Sequence, residues 1–320
     1  MSTPVIHLVR HAQGFHNLGL EFSDLRDPLL TPLGESQCTQ LRDAHFPPER
    51  QQSISLVAAS PMSRTLQTAH ATFGSALSSG KCHPHILAIP DAQETTDWPC
   101  DTGSDLHVLK DRVAERSWPV DLSLVSENWN VKTISNRYSP AGPAIQRRAR
   151  DARALLREKA RELANRGDEN IEIVLVAHGA YMHYISDDWE HADRFLSTGW
   201  ENCEHRTYTF EKDFMTDDDP EAFLSETMES RRRRGKEHPM FDHDQQVSLC
   251  QEMMEAWESQ GCQNPMKIPI PSSLQLGNAV PSDNSKSKLT SSQAVNPYGQ
   301  DTAARGSSQQ ETGTEIEVEA

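Results

Sequence analysis

The chain contains short, continuous apolar runs separated by longer segments with helical periodicity. Three of the runs, Val5–Val9, Ile54–Ala59 and Ile171–Ala177, end directly before polar or charged residues. Apolar runs of this length are typical of strands that are buried on both faces. The run His85–Ile89 is predicted as a further strand, and the alternating segment His205–Phe210 as a last one.

Helical patterns lie between these runs. The first opens at Thr31-Pro32, with Thr as the cap and Pro at the first helical position. A second opens at Ser60-Pro61, and a long third one covers about residues 144–165. Strands that alternate with helices predict an α/β fold, a three-layer α/β/α arrangement with a mostly parallel central sheet.

Composition divides the chain into three predicted parts. Residues 1–210 hold the strand and helix pattern and are predicted as one catalytic domain. Residues 211–262 are predicted as a charged linker, acidic over Glu211–Glu229, followed by an amphipathic helix over Gln245–Gln260 that docks on the core. Residues 263–320 are rich in Ser, Gln, Asn and Pro, which predicts a disordered tail.

The charge of the chain constrains its partners. It has 47 acidic and 31 basic residues, a net charge of −16. An acidic surface argues against a nucleic-acid partner, so an anionic substrate needs a locally positive pocket. The chain has no run of eighteen apolar residues, so no membrane-spanning helix is predicted. The amino-terminal segment lacks the basic leader of a secretory signal, so none is expected.

The six cysteines form no CxxC pair and no zinc-finger spacing. They are therefore expected as free thiols of a cytoplasmic protein, with no bound metal. The basic run Arg231–Arg234 is interpreted as a balance for the neighbouring acidic residues, with a nuclear import signal as the alternative.

Residues that suit phosphate binding follow three of the predicted strands. Arg10 and His11 follow the first, Arg64 lies just after the second, and His178 follows the third. Ligands of open α/β sheets bind beyond the carboxyl ends of the strands. The four side chains are therefore expected to converge on one anion.

Four ordered blocks resemble the histidine phosphatase superfamily, the phosphoglycerate mutase-like proteins. They are Leu8–Asn17 with Arg10-His11, Asp27–Gly34 with Gln37, Ser60–Ala69 with Arg64, and Val176–Gly179 with His178. One departure is Ala12, which stands where the family usually has glycine. Blocks in this order imply the family's fold, its phosphotransfer chemistry and its phosphate pocket.

The resemblance implies a role for each residue. His11 is the nucleophile, neutral because neighbouring arginines lower its pKa, with its other ring nitrogen bonded to a backbone carbonyl near Gly14. Arg10 and Arg64 bind the phosphoryl oxygens. His178 is the protonated histidine of the pair. Asn17 at the rim and Gly179 complete the phosphate-binding set, whereas His16 is interpreted as a packing or surface residue.

The resemblance also implies a general acid after the predicted strand His85–Ile89. Glu94 is the first candidate and Asp91 the main rival, with Asp97 and Asp101 behind them. The acid is expected to have a raised pKa. Residues 98–105 form a predicted substrate loop, resembling a subgroup of phosphatases in the superfamily, in which Asp101 and Ser104 bind substrate.

The predicted function is a metal-independent phosphomonoester phosphatase that acts on a small phosphorylated metabolite through a phosphohistidine, without a cofactor. Three alternatives stay open: a phosphomutase, a pathway-specific enzyme that reuses the pocket, and a non-catalytic phosphate-binding protein. The sequence makes no prediction of the oligomeric state.

Overall fold

A mixed sheet of seven strands organises the chain. The computed structural model describes residues 2–270, without the side chains of Leu196 and Ser197. The strands are β1 Val5–Arg10, β2 Leu56–Ala59, β3 Ile86–Ala88, β4 Val120–Asp121, β5 Glu172–Ala177, β6 His205–Phe210 and β7 Leu224–Glu226. Their order is β4-β3-β2-β5-β1-β6-β7. Only the pairs β1–β6 and β6–β7 are antiparallel among the described strands, so the predicted mostly parallel sheet is confirmed.

Helices surround the sheet. In chain order they are α1 Pro32–His45, α2 Pro48–Gln51, α3 Ser63–Leu77, α4 Leu106–Glu115, α5 Gly142–Asn165, α6 Gly179–Ser186, α7 Arg194–Ser197, α8 Met228–Arg233 and α9 His243–Ser259. Within the described part of the chain, none of these helices has the length and apolarity needed to cross a bilayer.

The two faces of the sheet support two separate cores. In β1, Ile6 and Leu8 belong to the core that α5, α6 and α9 cover, whereas Val9 belongs to the core under α3 and α4. The same alternation recurs in β5, where Leu175 and Val176 face opposite ways. Because successive strand residues point to opposite faces, the strands must be apolar throughout. This is the predicted three-layer α/β/α arrangement.

Two predicted helix starts differ in accuracy. Thr31 caps α1 as predicted, its hydroxyl oxygen accepting the amide of Gly34 at 3.1 Å. The second helix begins at Ser63 and not at Ser60-Pro61, with Met62 as its cap residue. The amide of Ser60 still pairs with the carbonyl of Val176 in β5 at 3.0 Å, so the helix begins only after this bond.

The segment Glu211–Glu229, predicted as an acidic linker, contains β7 and extends the sheet beyond β6. In the basic run that follows, Arg231 and Arg234 both pair with the buried Glu226. Half of the basic run is thus engaged in internal ion pairs, as the charge-balance interpretation expects.

The predicted amphipathic helix is α9, which buries Met254 and Trp257 in the core. The described beginning of the predicted disordered tail, residues 263–270, contains a 3-10 turn at Pro265–Lys267, and residues 271–320 lie outside the described residues. The division of the chain into three parts remains a prediction.

Candidate active site

His11 lies at the carboxyl edge of the sheet, where β1 and β5 end side by side. Its backbone amide donates to the carbonyl of Ala177 at 2.9 Å, and its side chain is almost fully buried. Nδ1 lies 2.7 Å from the carbonyl oxygen of Ala12. The predicted backbone acceptor near Gly14 is therefore present: it is the carbonyl of Ala12, two residues before Gly14.

The other ring nitrogen of His11 faces a cation. Arg64, at the start of α3, donates from Nε to His11 Nε2 at 3.2 Å. Nδ1 must then carry the ring proton and Nε2 the lone pair. Burial, together with the charges of Arg64 and Arg10, holds the pKa of His11 well below its usual value. His11 is neutral, as a nitrogen nucleophile must be.

The remaining nitrogens of Arg64 are held by the predicted substrate loop. Nη1 donates to the carbonyl of Cys100 at 2.6 Å, and Nη2 pairs with Asp101 at 3.1 Å. The other oxygen of Asp101 accepts from the hydroxyl of Thr96 at 2.6 Å. Asp101 therefore contacts Arg64 and fixes the orientation of the Arg64 guanidinium.

Ser104 occupies a different place from the one predicted. Its hydroxyl donates to the buried carboxylate of Asp27 at 2.6 Å. The same carboxylate accepts from the amide and hydroxyl of Ser63 and from Arg112. Ser104 therefore helps Asp27 to hold Ser63 at the start of α3. This structural role takes the place of the predicted contact with substrate.

Arg10, the residue before His11, has its guanidinium held by Thr198 and Trp200. One nitrogen donates to the hydroxyl of Thr198 at 3.2 Å and to the carbonyl of Trp200, while Nε is buried without a partner among the described residues. Burial lowers the pKa of Arg10 to about 10, so it remains charged at neutral pH. A buried guanidinium with an unpartnered donor is well suited to an anion.

Gly179 allows this approach of Arg10. A Cβ atom at position 179 would lie 2.6 Å from Cβ of Thr198 and 3.1 Å from Nε of Arg10. A glycine is therefore required after His178 because the backbone packs closely against Arg10 and Thr198.

We expect Gly179→Ala to lower kcat/KM by roughly 10²-fold, because displacing Arg10 by even a fraction of an ångström misplaces a phosphate ligand. Gly74→Ala is the matched control, since a Cβ at position 74 in α3 meets nothing within 4 Å. Steady-state kinetics with thermal melts of both variants measure the effect. Equal kcat/KM values for the two variants would contradict this role of Gly179.

His178 joins the site and is neutral in the free protein. Its ring centroid lies 5.3 Å from that of His11, and its Nε2 lies 2.9 Å from the hydroxyl oxygen of Ser60. Burial and the charge of Arg64 hold the pKa of His178 well below its usual value. His178 is therefore neutral in the free protein, where it is fully buried and no carboxylate of residues 2–270 pairs with it. Its predicted protonated state belongs to the complex with phosphate and stays a prediction.

Glu94 is the carboxyl group that enters this site. Its Oε1 accepts the backbone amides of Thr95 at 2.9 Å and of Tyr181, in the first turn of α6, at 3.1 Å. Burial and the nearby carboxylate of Asp101 raise the pKa of Glu94, as expected for a general acid. Because Oε1 accepts two donors, the other oxygen is the one free to carry a proton.

The rival acids lie elsewhere or are engaged. Asp91 forms a two-pronged ion pair with Arg137 at 2.9 and 2.6 Å. Asp97 is exposed, and Asp101 is paired with Arg64. Glu94 is therefore the preferred acid: it is buried, its pKa is raised, and its carboxyl group interacts electrostatically with Arg10 and Arg64.

Asn17 lies at the rim, as the resemblance implies. Its side-chain oxygen accepts the amide of Gly14 at 3.0 Å, which directs the oxygen towards the backbone. The neighbouring Asn202 lies 3.5 Å from this oxygen and donates to the carbonyl of His11 at 3.0 Å. The amide nitrogen of Asn17 has no partner in residues 2–270 and is therefore available to a ligand.

His16 is a site residue that the sequence interpretation placed in packing or on the surface. Its ring centroid lies 5.4 Å from that of His11. Burial and the charges of Arg64 and Arg10 lower the pKa of His16 to about 2. Its place directly before Asn17 in the first block was the one available sequence signal.

Two further cations hold the loop that carries Glu94. Lys132 donates to the carbonyls of Glu94 at 2.7 Å and Thr96 at 2.6 Å, and burial lowers its pKa to about 7. Arg148, in α5, donates to the carbonyls of Asp91 and Gln93. Neither cation lies in a family block, so nothing in the local sequence indicated these contacts.

The site thus combines three neutral imidazoles, two guanidinium groups and one carboxyl group of raised pKa around the carboxyl ends of β1, β2 and β5. In the described residues, no three His, Cys, Asp or Glu side chains form a group that could hold a metal ion. This arrangement can bind a tetrahedral anion, offer it a nitrogen nucleophile and supply a proton.

Comparison with known proteins finds similarity to one family. The family model of the histidine phosphatase superfamily (branch 1) matches residues 6–78 of the chain, which include Arg10, His11 and Arg64. The chain is 29% identical to a phosphoglycerate mutase-like protein of Arabidopsis thaliana over 247 residues, which cover 63% of this chain and 82% of that protein.

The phosphoglycerate mutase-like protein 2 of Arabidopsis thaliana is 47% identical over 76 residues, which cover 22% of each chain. Among solved structures, the chain is similar to the ecdysone phosphate phosphatase from Bombix mori in complex with tungstate. That likeness has 13% identity and a TM-score of 0.43, and it covers 64% of this chain and 88% of that one.

Proposed function

We propose that the protein is a phosphomonoester phosphatase in which His11 is the nucleophile. The observation that carries the proposal is the state of the His11 ring. The ring is neutral and buried, its Nδ1 is directed to the carbonyl of Ala12, and its Nε2 lies 3.2 Å from Nε of Arg64. The lone pair therefore points towards the groups that would bind phosphate.

In the first step, the phosphate of the ester binds between Arg10 and Arg64. The Nε–H of Arg64 exchanges its hydrogen bond to His11 for one to a phosphoryl oxygen and keeps its proton. The lone pair of His11 Nε2 forms a bond to phosphorus. The bond from phosphorus to the ester oxygen breaks, and its electron pair stays on that oxygen. Protonated Glu94 gives its proton to the leaving alkoxide.

In the second step, water attacks the phosphohistidine. Glu94, now a carboxylate, takes the proton of the water as its oxygen bonds to phosphorus, and the bond from phosphorus to Nε2 breaks. His11 returns to its neutral form and inorganic phosphate leaves. His178 and His16 donate to phosphoryl oxygens, because a bound dianion favours the protonated imidazole that the free site disfavours.

The experiment that tests this proposal separates hydrolysis from group exchange. The purified protein is incubated with 3-phosphoglycerate and with p-nitrophenyl phosphate, and inorganic phosphate and phosphoglycerate isomers are measured. We expect phosphate release without isomer exchange. Exchange of isomers without release would identify a mutase, and neither product from any ester would leave a binding protein.

A further inference from the structure

We take as the entrance to the site two segments that adjoin site residues along the chain and have an unusual composition. Residues 14–25 continue from the block that holds His11, and residues 95–99 follow Glu94. The two segments are joined where the amide of Cys100 donates to the carbonyl of Ser23 at 3.0 Å. Cys100 also accepts from Arg64, so the entrance and the phosphate-binding groups share one framework.

Large apolar side chains of these segments are exposed. We use the name apolar rim for Phe15, Leu18, Leu20 and Trp98. Leu20 is 78% exposed and Trp98 37% exposed. A soluble surface does not usually keep several large apolar residues in one short stretch next to a polar site unless they contact a ligand or partner.

The charges at the entrance point to the same conclusion. Residues 14–25 and 95–99 contain no Lys or Arg, and their charged residues, Glu21, Asp24 and Asp97, are all acidic and exposed. The next cation along the chain, Arg26, is paired with Asp105 at 2.9 Å. A second anionic group on a substrate would therefore meet carboxylates at the entrance, while its first phosphate meets the buried arginines.

We infer that the preferred substrates are monophosphate esters of apolar alcohols, whose hydrocarbon part lies on the apolar rim. This inference rests on the proposed phosphatase function and names its substrate class. Nucleotides, bisphosphates and phosphorylated acids are disfavoured by the acidic entrance. Along the chain, Phe15 and Leu18 flank His16 and Asn17, and the His16 ring centroid lies 5.4 Å from that of His11. This proximity to the phosphate site favours a substrate over a separate partner.

The test is a homologous series of alkyl phosphates, ethyl, butyl and hexyl, with 3-phosphoglycerate as the charged comparison. These alkyl esters share one leaving-group chemistry, so chain length changes only apolar contact. We expect kcat/KM to rise about tenfold or more from ethyl to hexyl phosphate, and to be lowest for 3-phosphoglycerate. A flat series, or a preference for 3-phosphoglycerate, would overturn the inference.

Variants assign the effect to the apolar rim. Leu20→Ser combined with Trp98→Ala is expected to reduce the chain-length dependence to about threefold or less. The control is Val247→Ser, which removes an exposed apolar side chain on α9 and is expected to keep the full dependence. Full dependence in the double variant, with unchanged thermal stability, would contradict the assignment.

Two other outcomes would give the apolar rim a different occupant. Sedimentation that shows a dimer dissociated by Leu20→Ser would assign it to a second copy of the chain. Binding to phosphatidylcholine vesicles that Leu20→Ser abolishes would assign it to a lipid surface. Either result overturns the inference but leaves the phosphatase proposal standing. Failure of the wild type to release phosphate from any ester would instead overturn the phosphatase proposal itself.

Discussion

His11→Ala is expected to lower kcat for p-nitrophenyl phosphate by about 10⁴-fold or more, because loss of a covalent nucleophile leaves only binding and electrostatic stabilisation. The side chain is buried, so its removal also leaves Arg64 Nε without its partner. Circular dichroism and a thermal melt of the variant therefore accompany the kinetic measurement and separate lost chemistry from lost fold.

The control for this variant is His83→Ala, which removes an exposed histidine outside the four family blocks. It is expected to keep wild-type kcat and KM. A His11→Ala protein that folds and retains more than a few per cent of the activity would show that another group attacks the phosphorus.

Glu94→Gln has the second-largest expected effect, and the effect depends on the leaving group. With an alkyl phosphate, the first step needs a proton and should slow by about 10²- to 10³-fold. With p-nitrophenyl phosphate, the leaving phenolate needs no proton, so the first step stays fast. The slow second step should then produce a burst of p-nitrophenol equal to the enzyme concentration, measured by stopped-flow absorbance.

The pH dependence of the same step has a defined sign. A general acid acts while it is protonated, and burial raises the pKa of Glu94. Single-turnover cleavage of an alkyl phosphate by the wild type should therefore fall as pH rises through that raised pKa, and the fall should be absent in Glu94→Gln. Asp91→Asn is the control that tests the rival acid. If Asp91→Asn loses this pH dependence and Glu94→Gln keeps it, the assignment is wrong.

The sequence predicted the parts of the molecule that depend on local patterns. Apolar runs located β1, β2 and β5, because strands covered on both faces are apolar along their whole length. The rule that ligands bind at the carboxyl ends of strands then brought Arg10, His11, Arg64 and His178 together. In the structure, Arg64 contacts the His11 ring, the His178 ring centroid lies 5.3 Å from that of His11, and Arg10 packs beside Gly179, the residue after His178.

The parts that the sequence did not predict depend on long-range contacts. Lys132 and Arg148 act on backbone carbonyls of the Glu94 loop, and backbone acceptors leave no mark in a sequence. Ser104 binds Asp27, 77 residues away, so its loop position was no guide to its role. The lowered pKa of His178 in the free protein was not predicted either, because it depends on burial and on Arg64, which only the folded chain brings together.

The strand β7, within the segment predicted as an acidic linker, was missed for a related reason. The segment Glu211–Glu229 is acidic, and acidic segments are usually solvated. Here Glu226 is buried in β7 because two arginines neutralise its charge. Arg231 lies in α8, and Arg234 directly follows that helix. The compensating charges lie several residues further along the chain, where composition alone suggested a separate basic run.

The most direct test of His11 as the nucleophile is to trap the phosphorylated enzyme. Wild-type protein is mixed with an ester carrying a ³²P-labelled phosphate, quenched in alkali within milliseconds, and digested for peptide mapping. We expect a label that survives alkali, is lost in acid, and maps to Nε2 of His11. Turnover of the labelled ester with no label on His11, or a label that persists in His11→Ala, would contradict it.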